Sequence, residues 1–431
     1  MFRCAFYETE ITPPLGSEIP GYYEVRVSTG VLDKLYLKSF LLDDGTCQAA
    51  IIVLDAVELP NDFCVEVREQ IYQRAGLSPE RIILCATHTH LGIPCGEPHG
   101  SNADKSYMAE LCRRAADSVL LAQQHLQPCR IRFGSGYLDG LSFNRDYVMG
   151  DGSICTNPGK RAKSPVLRHY ADADFTLPVL YVEALDGSPL GALISFACHQ
   201  DCIGGTKYSG DYSSELSRQM KGAFGAAFVS IYLAGASGDI NNYDYLQKTK
   251  IDYLTIGRAM AREAIRVIRS DAQKVLGTTL HYASGSLCCR YRRASASEIA
   301  RAKAHCGGDI QDSHIMLGSL MSELLLEYES RMQTTGLEYG QLPVHVISFG
   351  DISIFALPGE LYHQFADSIR TRCPERKCFI ITLCHGSFGY IPIPELFGTS
   401  VYPVQLCECS MWTPDTGDAI VNLAVQLAKQ N

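Results

Sequence analysis

The chain has 431 residues, 46% of them hydrophobic and 20% charged, enough apolar matter for one large domain or two to three average ones. Its formal net charge is −9 and its most basic stretch, Arg290 to Arg293, is short, which argues against a nucleic-acid partner and reads instead as the solvated start of a helix. No apolar run is long enough to cross a bilayer, and Met1 to Glu8 meets charge at once, unlike a signal peptide.

The elements alternate in the α/β manner. Leu35–Leu42 and Ala49–Leu54 pair as strands across the turn Asp43-Asp44-Gly45, and Asn61–Arg74 follows as an amphipathic helix. Arg81–Ala86 is a buried strand that runs into Thr87-His88-Thr89-His90. Lys105–Gln124 is a long helix and Arg130–Gly134 a strand. Asp139–Asp174 is polar, irregular and long, the mark of a functional or a disordered loop. Leu180–Ala184 and Ala192–Cys198 are strands, Tyr212–Phe224 a helix, Ala227–Leu233 a strand and Tyr253–Ile268 a helix. Ser295–Met332 reads as a helical hairpin broken at Gly307-Gly308. Val344–Phe349 and Ile352–Ala356 pair, Leu361–Arg370 is helical, Cys378–Leu383 is a strand, and Asp418–Lys429 closes the chain. The expectation is a mixed sheet core with flanking helices, one domain over residues 1–431 with a helical insert at about 290–335.

Eighteen cysteines occur without any Cys-x-x-Cys pair and mostly inside apolar elements, as with Cys85, Cys112, Cys198 and Cys384. This predicts reduced thiols, a cytoplasmic location and no stable membrane insertion. Cys198/Cys202 and Cys407/Cys409 come nearest to a metal-binding cysteine pair.

Four strands place a candidate ligand just past their carboxyl ends, where open α/β sheets bind ligands. They are His88 with His90, His199 after Phe196-Ala197-Cys198, Glu360 after Leu357-Pro358-Gly359, and Tyr390 in the run from His385. On a strand, His88 and His90 point the same way. If the strands are parallel neighbours, two imidazoles, a carboxylate and a phenol close around Zn²⁺, which lowers the pKa of a bound water. Each residue also has a plainer reading: a hydrogen-bonded core histidine, a glutamate at the positive end of a helix, a packed aromatic. His-x-His at a strand end also opens the metal site of amidohydrolase barrels, but no apolar strand here ends in lysine.

Several segments in order carry a resemblance. Glu10-Ile11-Thr12-Pro13-Pro14-Leu15-Gly16, Gly21-Tyr22 and Leu35–Phe40 come first, then Thr87–His90, Asn144-Arg145 and Phe196–His199. Ser209-Gly210-Asp211, Ser237–Asn241, Pro358-Gly359-Glu360 and Gly389–Glu395 complete the set. Together they resemble the catalytic region of the neutral/alkaline ceramidase family. The resemblance implies His88, His199, Glu360 and Tyr390 as zinc ligands, with Tyr362 and Tyr402 close by in sequence, and His90 and Arg145 facing substrate. It implies hydrolysis of an N-acyl amide. That family carries Gly-Asp-x-Ser-Pro-Asn, whereas this chain reads Gly238-Asp239-Ile240-Asn241-Asn242, and an amide is no nucleophile. The family's C-terminal β-sandwich is not matched either, so the expectation is a short relative with a different substrate.

The roles expected on this basis are His90 as proton shuttle, Arg145 as anion or oxyanion holder, and Asp211 and Asp239 as acceptors for the free N–H of a ligating imidazole. Asp211 reads equally as a helix cap and Asp239 as a turn residue. Asn241 either donates to substrate or marks a site that has lost catalysis. The substrate is a small molecule with an amide or ester bond. The alternatives are a metal hydrolase of an ester or cyclic amide, and a non-catalytic pocket-binding relative. A homo-oligomer is compatible with the sequence.

Overall fold

The computed structural model describes residues 1–94, 104–159, 164–277, 279–306 and 313–430. Its main sheet is built from β1 (Arg3–Glu10), β2 (Tyr36–Asp43), β3 (Gln48–Leu54), β4 (Ile82–Ala86), β5 (Gln127–Tyr137), β6 (Thr176–Ala184), β7 (Pro189–Phe196) and β8 (Val229–Ala234). They lie in the order β8-β7-β6-β5-β1-β2-β3-β4, and the short strand Gln273–Lys274 adds to β5. A second sheet holds β9 (Leu280–Arg290), β10 (Tyr339–Phe349), β11 (Ile352–Ala356) and β12 (Lys377–Ile381), in that order. The pairs β3–β4, β7–β8 and β11–β12 are parallel and the other neighbours antiparallel.

Helices α1 (Asn61–Ala75), α2 (Lys105–Gln124), α3 (Asp211–Phe224) and α4 (Tyr253–Arg266) cover the main sheet; α7 (His363–Arg372) and α8 (Thr416–Lys429) cover the second. Side-chain alternation along a strand creates these layers. On β2, Leu37 and Leu41 enter the core under α1 to α4, while Phe40 and Leu42 enter the core between the sheets. On β10, Ile347 and Phe349 face that same middle core, while Leu342, Val344 and Val346 face α8. The result is a helix–sheet–sheet–helix sandwich, a mixed α/β fold. The β2–β3 hairpin closes where expected: Asp44 accepts from the backbone N–H of Thr46 and Cys47 at 2.8 and 2.7 Å, and Gly45 takes φ +94°. Between β9 and β10 stand α5 (Ala296–His305) and α6 (Ser313–Thr335), which pack on each other. The Gly307-Gly308 break lies outside the described residues.

Three expectations are corrected. Asp139–Asp174 contains strand segments at Phe143–Asn144, Asp146–Met149, Ile154–Thr156 and Val166–His169, because short polar strands leave no clear period. Arg290–Arg293 starts no helix. Arg290 ends β9, the Arg292 guanidinium donates to the Val404 carbonyl at 2.6 Å, and Arg293 pairs with Glu329 at 2.8 Å. Finally, the strands bearing His88 and His199 are not parallel neighbours, since β4 and β7 stand toward opposite ends of the main sheet.

They meet because the sheet bends. At the β1–β5 joint only Arg3↔Pro128 and Cys4↔Gln127 are in register, and β8 returns into contact with β2, β3 and β4. The chain leaving β12 bridges the two edges: the Thr382 N–H donates to the Ala234 carbonyl at 2.9 Å, and the His385 N–H to the Leu84 carbonyl at 2.7 Å. Among the described residues no helix is long and apolar enough to cross a membrane.

Candidate metal centre

β4 stops at Ala86, so Thr87 to His90 is not strand. His88 sits at φ +74°, a left-handed backbone that costs a non-glycine residue of order 1 kcal/mol or more. Its N–H donates to the Ala56 carbonyl at 2.8 Å, which holds the turn. The alternation argument for His88 and His90 therefore fails, yet their rings stand together, centroids 5.1 Å apart and edge to face. His199 leaves β7 with its N–H on the Ile240 carbonyl at 3.0 Å. Glu360 and Tyr390 are direct partners in a two-residue parallel pairing, with the Glu360 N–H on the Gly389 carbonyl at 2.8 Å. Gly359, at φ +69°, lies where a Cβ would come within 2.6 Å of that same carbonyl, so only glycine fits.

The polar atoms of these four residues converge. His88 Nε2 and His199 Nε2 are 3.0 Å apart. Glu360 Oε2 lies 3.3 Å from the first and 3.5 Å from the second, and Tyr390 Oη lies 3.5 Å from His199 Nε2. A tetrahedron with metal bonds of about 2.0–2.2 Å has edges of roughly 3.3–3.6 Å. Each imidazole spends its other nitrogen on a backbone carbonyl, His88 Nδ1 on Val57 at 2.7 Å and His199 Nδ1 on Ser237 at 3.2 Å. Those bonds place the ring proton on Nδ1 and turn the Nε2 lone pairs inward. Two imidazole nitrogens and a carboxylate oxygen at this spacing need a proton or a cation between them, and the donor set fits a zinc-type ion. His90 extends the group: the donor atoms of His88, His90 and His199 all lie within 4.8 Å of one another, and this trio is also able to hold a metal. Glu360 lies at tetrahedral-edge distance from both inner imidazoles, and Tyr390 from that of His199.

Burial disfavours charge on both inner imidazoles. At His88 the Glu360 carboxylate more than offsets this and its pKa lies above the usual value. At His199 burial, reinforced by His88 and Arg145, pushes it well below. Burial would raise the Glu360 pKa, but His88 and Arg145 hold it below the ordinary glutamate value. Arg145 is buried, donates to the Gly238 carbonyl at 2.5 Å, and sets its guanidinium 5.1 Å from the Tyr390 ring centre. Despite burial it stays firmly charged, through Tyr390, Tyr362 and Glu360.

The other expected residues stand behind this cluster. Neither aspartate meets a cluster imidazole, because the Val57 and Ser237 carbonyls already fill that role. Asp239 accepts from His363 Nδ1 and from the Asn144 amide, both at 2.7 Å, and from the His363 N–H at 3.0 Å. It ties the segment around Arg145 to the helix after Glu360. Asp211 is the first residue of α3, at φ +53°, and accepts from the N–H of Cys202, Ile203 and Tyr212 at 2.9, 3.2 and 2.6 Å. It braces the loop after His199. The Asn241 amide bonds Asn157 at 2.8 Å and accepts from the Tyr243 N–H at 3.1 Å. Tyr362 donates to Asp146 at 2.8 Å and Tyr402 pairs with Tyr23 at 2.6 Å, so of the three tyrosines it is Tyr390 whose hydroxyl faces His199.

Sequence reasoning missed Arg26. Its buried guanidinium donates to the His90 carbonyl at 2.6 Å and the Pro20 carbonyl at 2.5 Å, and stacks 3.9 Å from the Tyr22 ring centre. Gly21, at φ +102°, lets the same loop pass His90, since a Cβ there would lie 2.8 Å from His90 Nδ1. An arginine satisfied by carbonyls has no sequence signature. A cavity of about 320 Å³ between β1, β2 and α3 shares Thr87 with the histidine turn but none of the cluster residues. Its cations already face acids: Lys221 pairs with Glu8, Lys34 with Glu10 and Arg218 with Glu215.

Comparison with known proteins places the architecture. A crystal structure of neutral ceramidase from Pseudomonas aeruginosa superposes with TM-score 0.75 and 17% identity, over 99% of this chain and 74% of that one. A ceramidase complexed with C2 gives 0.73 and 17% over the same shares. This chain has the ceramidase fold. No protein-family profile and no curated protein matches the sequence.

Two outcomes follow from this geometry. His88→Ala and His199→Ala lower zinc affinity at least about 100-fold by competition titration, a loss typical of a missing ligand or its close support, while His90→Ala keeps most of it; equal losses in all three would refute the assignment. Burial raises the Asp211 pKa to about 7 although three N–H groups oppose it. An unfolded aspartate titrates near 3.9, so folding stability is greatest below that value and falls as pH rises toward 7, by about 4 kcal/mol for this group. Asp55, raised by burial to about 6, acts in the same sense. Urea unfolding from pH 4 to 8 is expected to lose less stability in Asp211→Asn than in the wild type; identical slopes would contradict it.

Proposed function

We propose that the protein is a zinc-dependent hydrolase that cleaves an amide bond in an N-acyl small molecule. The observation that carries the reading is the meeting of His88 Nε2, His199 Nε2 and Glu360 Oε2 within 3.0–3.5 Å, with the outer nitrogens of both rings fixed on carbonyls. These three residues hold the ion, with Tyr390 as the fourth donor. A bound zinc supplies Lewis acidity toward a carbonyl oxygen and brings the pKa of a water toward neutrality.

The remaining residues do the work of positioning and proton transfer. His90, held by Arg26 through its carbonyl and walled by the Tyr22 ring at 5.5 Å, takes a proton from the attacking water and returns it to the departing nitrogen. Arg145 keeps its charge in a buried setting and, among the described residues, forms no ion pair with a carboxylate. It is free to attract negative charge that develops on the substrate oxygen. Asp239 and Asp211 position rather than react: one fixes the Arg145 and His363 segments, the other the loop after His199. Asn241 has its amide engaged with Asn157 and takes no part in this scheme.

The ceramidase fold supports amide hydrolysis, and all described cysteines are free thiols, which suits a cytoplasmic location. The test is a panel of N-acyl amides and matched esters with the zinc-loaded protein. Amide cleavage that is abolished by a strong chelator, restored by zinc, and reduced at least about 100-fold in His90→Ala with zinc retained supports the reading. Hydrolysis unaffected by the chelator would overturn it. Saturable binding without turnover would replace it with a non-catalytic binder.

A further inference from the structure

The Cys407-Glu408-Cys409 segment is unused by the proposed chemistry, yet it abuts it. Cys407 and Ser410 form a bridge around a tight turn, with the Ser410 N–H on the Cys407 carbonyl at 3.0 Å. Such a turn brings its ends within about 7 Å and its first and third residues closer still, inside the roughly 4.4–6.8 Å span of Cα atoms in a disulfide. The two thiols sit on the same tight turn and pack in one contact cluster. Both are buried, at 3% and 8% exposure, in a small cluster whose third buried member is Tyr390 and whose flanks are Leu324 and Tyr402. The Tyr390 N–H donates to the Cys409 carbonyl at 2.7 Å. The turn that carries the dithiol thus also carries the backbone of the candidate ligand.

We propose that Cys407 and Cys409 form an oxidisable dithiol whose closure to a disulfide displaces Tyr390. The oxidant is a peroxide. One sulfur attacks an oxygen, the O–O bond breaks, and an alcohol or water leaves with a thiol proton. The second sulfur then attacks the resulting sulfenic acid, the S–S bond forms, and water leaves. The two sulfurs are oxidised by one electron each and the peroxide is reduced by two. Drawing the sulfurs together tightens the turn and pulls the Cys409 carbonyl away from the Tyr390 N–H. Two other thiol pairs give a contrast. Cys4 and Cys129 bring sulfurs within 2.9 Å across β1 and β5, and Cys85 and Cys384 are paired through their backbones, but both pairs lie in the core between the sheets and neither shares a cluster with a candidate ligand.

The experiment treats the zinc-loaded protein with hydrogen peroxide and follows three readouts: disulfide mapping by mass spectrometry, amide hydrogen exchange of the Tyr390 peptide, and amidase activity. The expected result is a Cys407–Cys409 disulfide, exchange at Tyr390 faster by about tenfold or more, and lower activity. All three reverse with dithiothreitol and are absent in the C407S/C409S double variant. Two free thiols at 407 and 409, under exposure that oxidises the exposed Cys288 and Cys306, would overturn the proposal. So would a disulfide that leaves Tyr390 exchange unchanged. The activity arm alone rests on the hydrolase reading: a disulfide with faster exchange but unchanged amidase activity supports the modification site and removes Tyr390 from that chemistry.

Discussion

The organisation of this protein turns on two hydrogen bonds to backbone carbonyls. Val57 and Ser237 hold the Nδ1 atoms of His88 and His199, and so aim both Nε2 lone pairs at one point. Side-chain acceptors for a ligating histidine are common, but a carbonyl in a packed turn cannot rotate away or change protonation. The orientation is therefore as rigid as the core behind it. Strain at His88, with its positive φ, is tolerated because the Ala56 and Val57 carbonyls fix the turn from both sides.

Bringing these two turns together requires an unusual sheet. β4 and β7 are far apart along the hydrogen-bonded order, and only the bend at the β1–β5 joint, followed by the return of β8, makes them neighbours in space. The second sheet then does more than cover the first. Its β12 exit strand threads between the two edges and delivers Tyr390, while β11 delivers Glu360 as its register partner. Four turns from two sheets are thus locked by backbone pairing before any ion is considered. The architecture matches the ceramidase fold over nearly the whole chain at 17% identity.

Much of this was legible in the sequence because the strand ends advertise it. A buried apolar run ending in His88-Thr89-His90, or in Cys198-His199, breaks pattern at a strand's carboxyl end, where open α/β sheets generally bind ligands, and Pro358-Gly359-Glu360 carries a glycine whose positive φ is required. The helices α2 and α8 were legible as long runs of helix-forming residues. Other features were not legible for physical reasons. The strands β1 and β9 are not among the elements read from the sequence, because neither carries a clean two-residue apolar alternation. Arg26 satisfies carbonyls that no sequence pattern names. The partners of Asp211 and Asp239 depend on which acceptor reaches an imidazole first, and backbone carbonyls do so here. Sheet order was out of reach because the bend at two residue pairs leaves no trace in local periodicity.

X-ray absorption spectroscopy of the zinc-loaded protein probes the central claim most directly, since it counts donors without assuming a reaction. Two imidazoles and two oxygen donors from the protein at about 2.0–2.2 Å, with no sulfur, are expected. A shell of three imidazoles, or any zinc–sulfur distance near 2.3 Å, would contradict it.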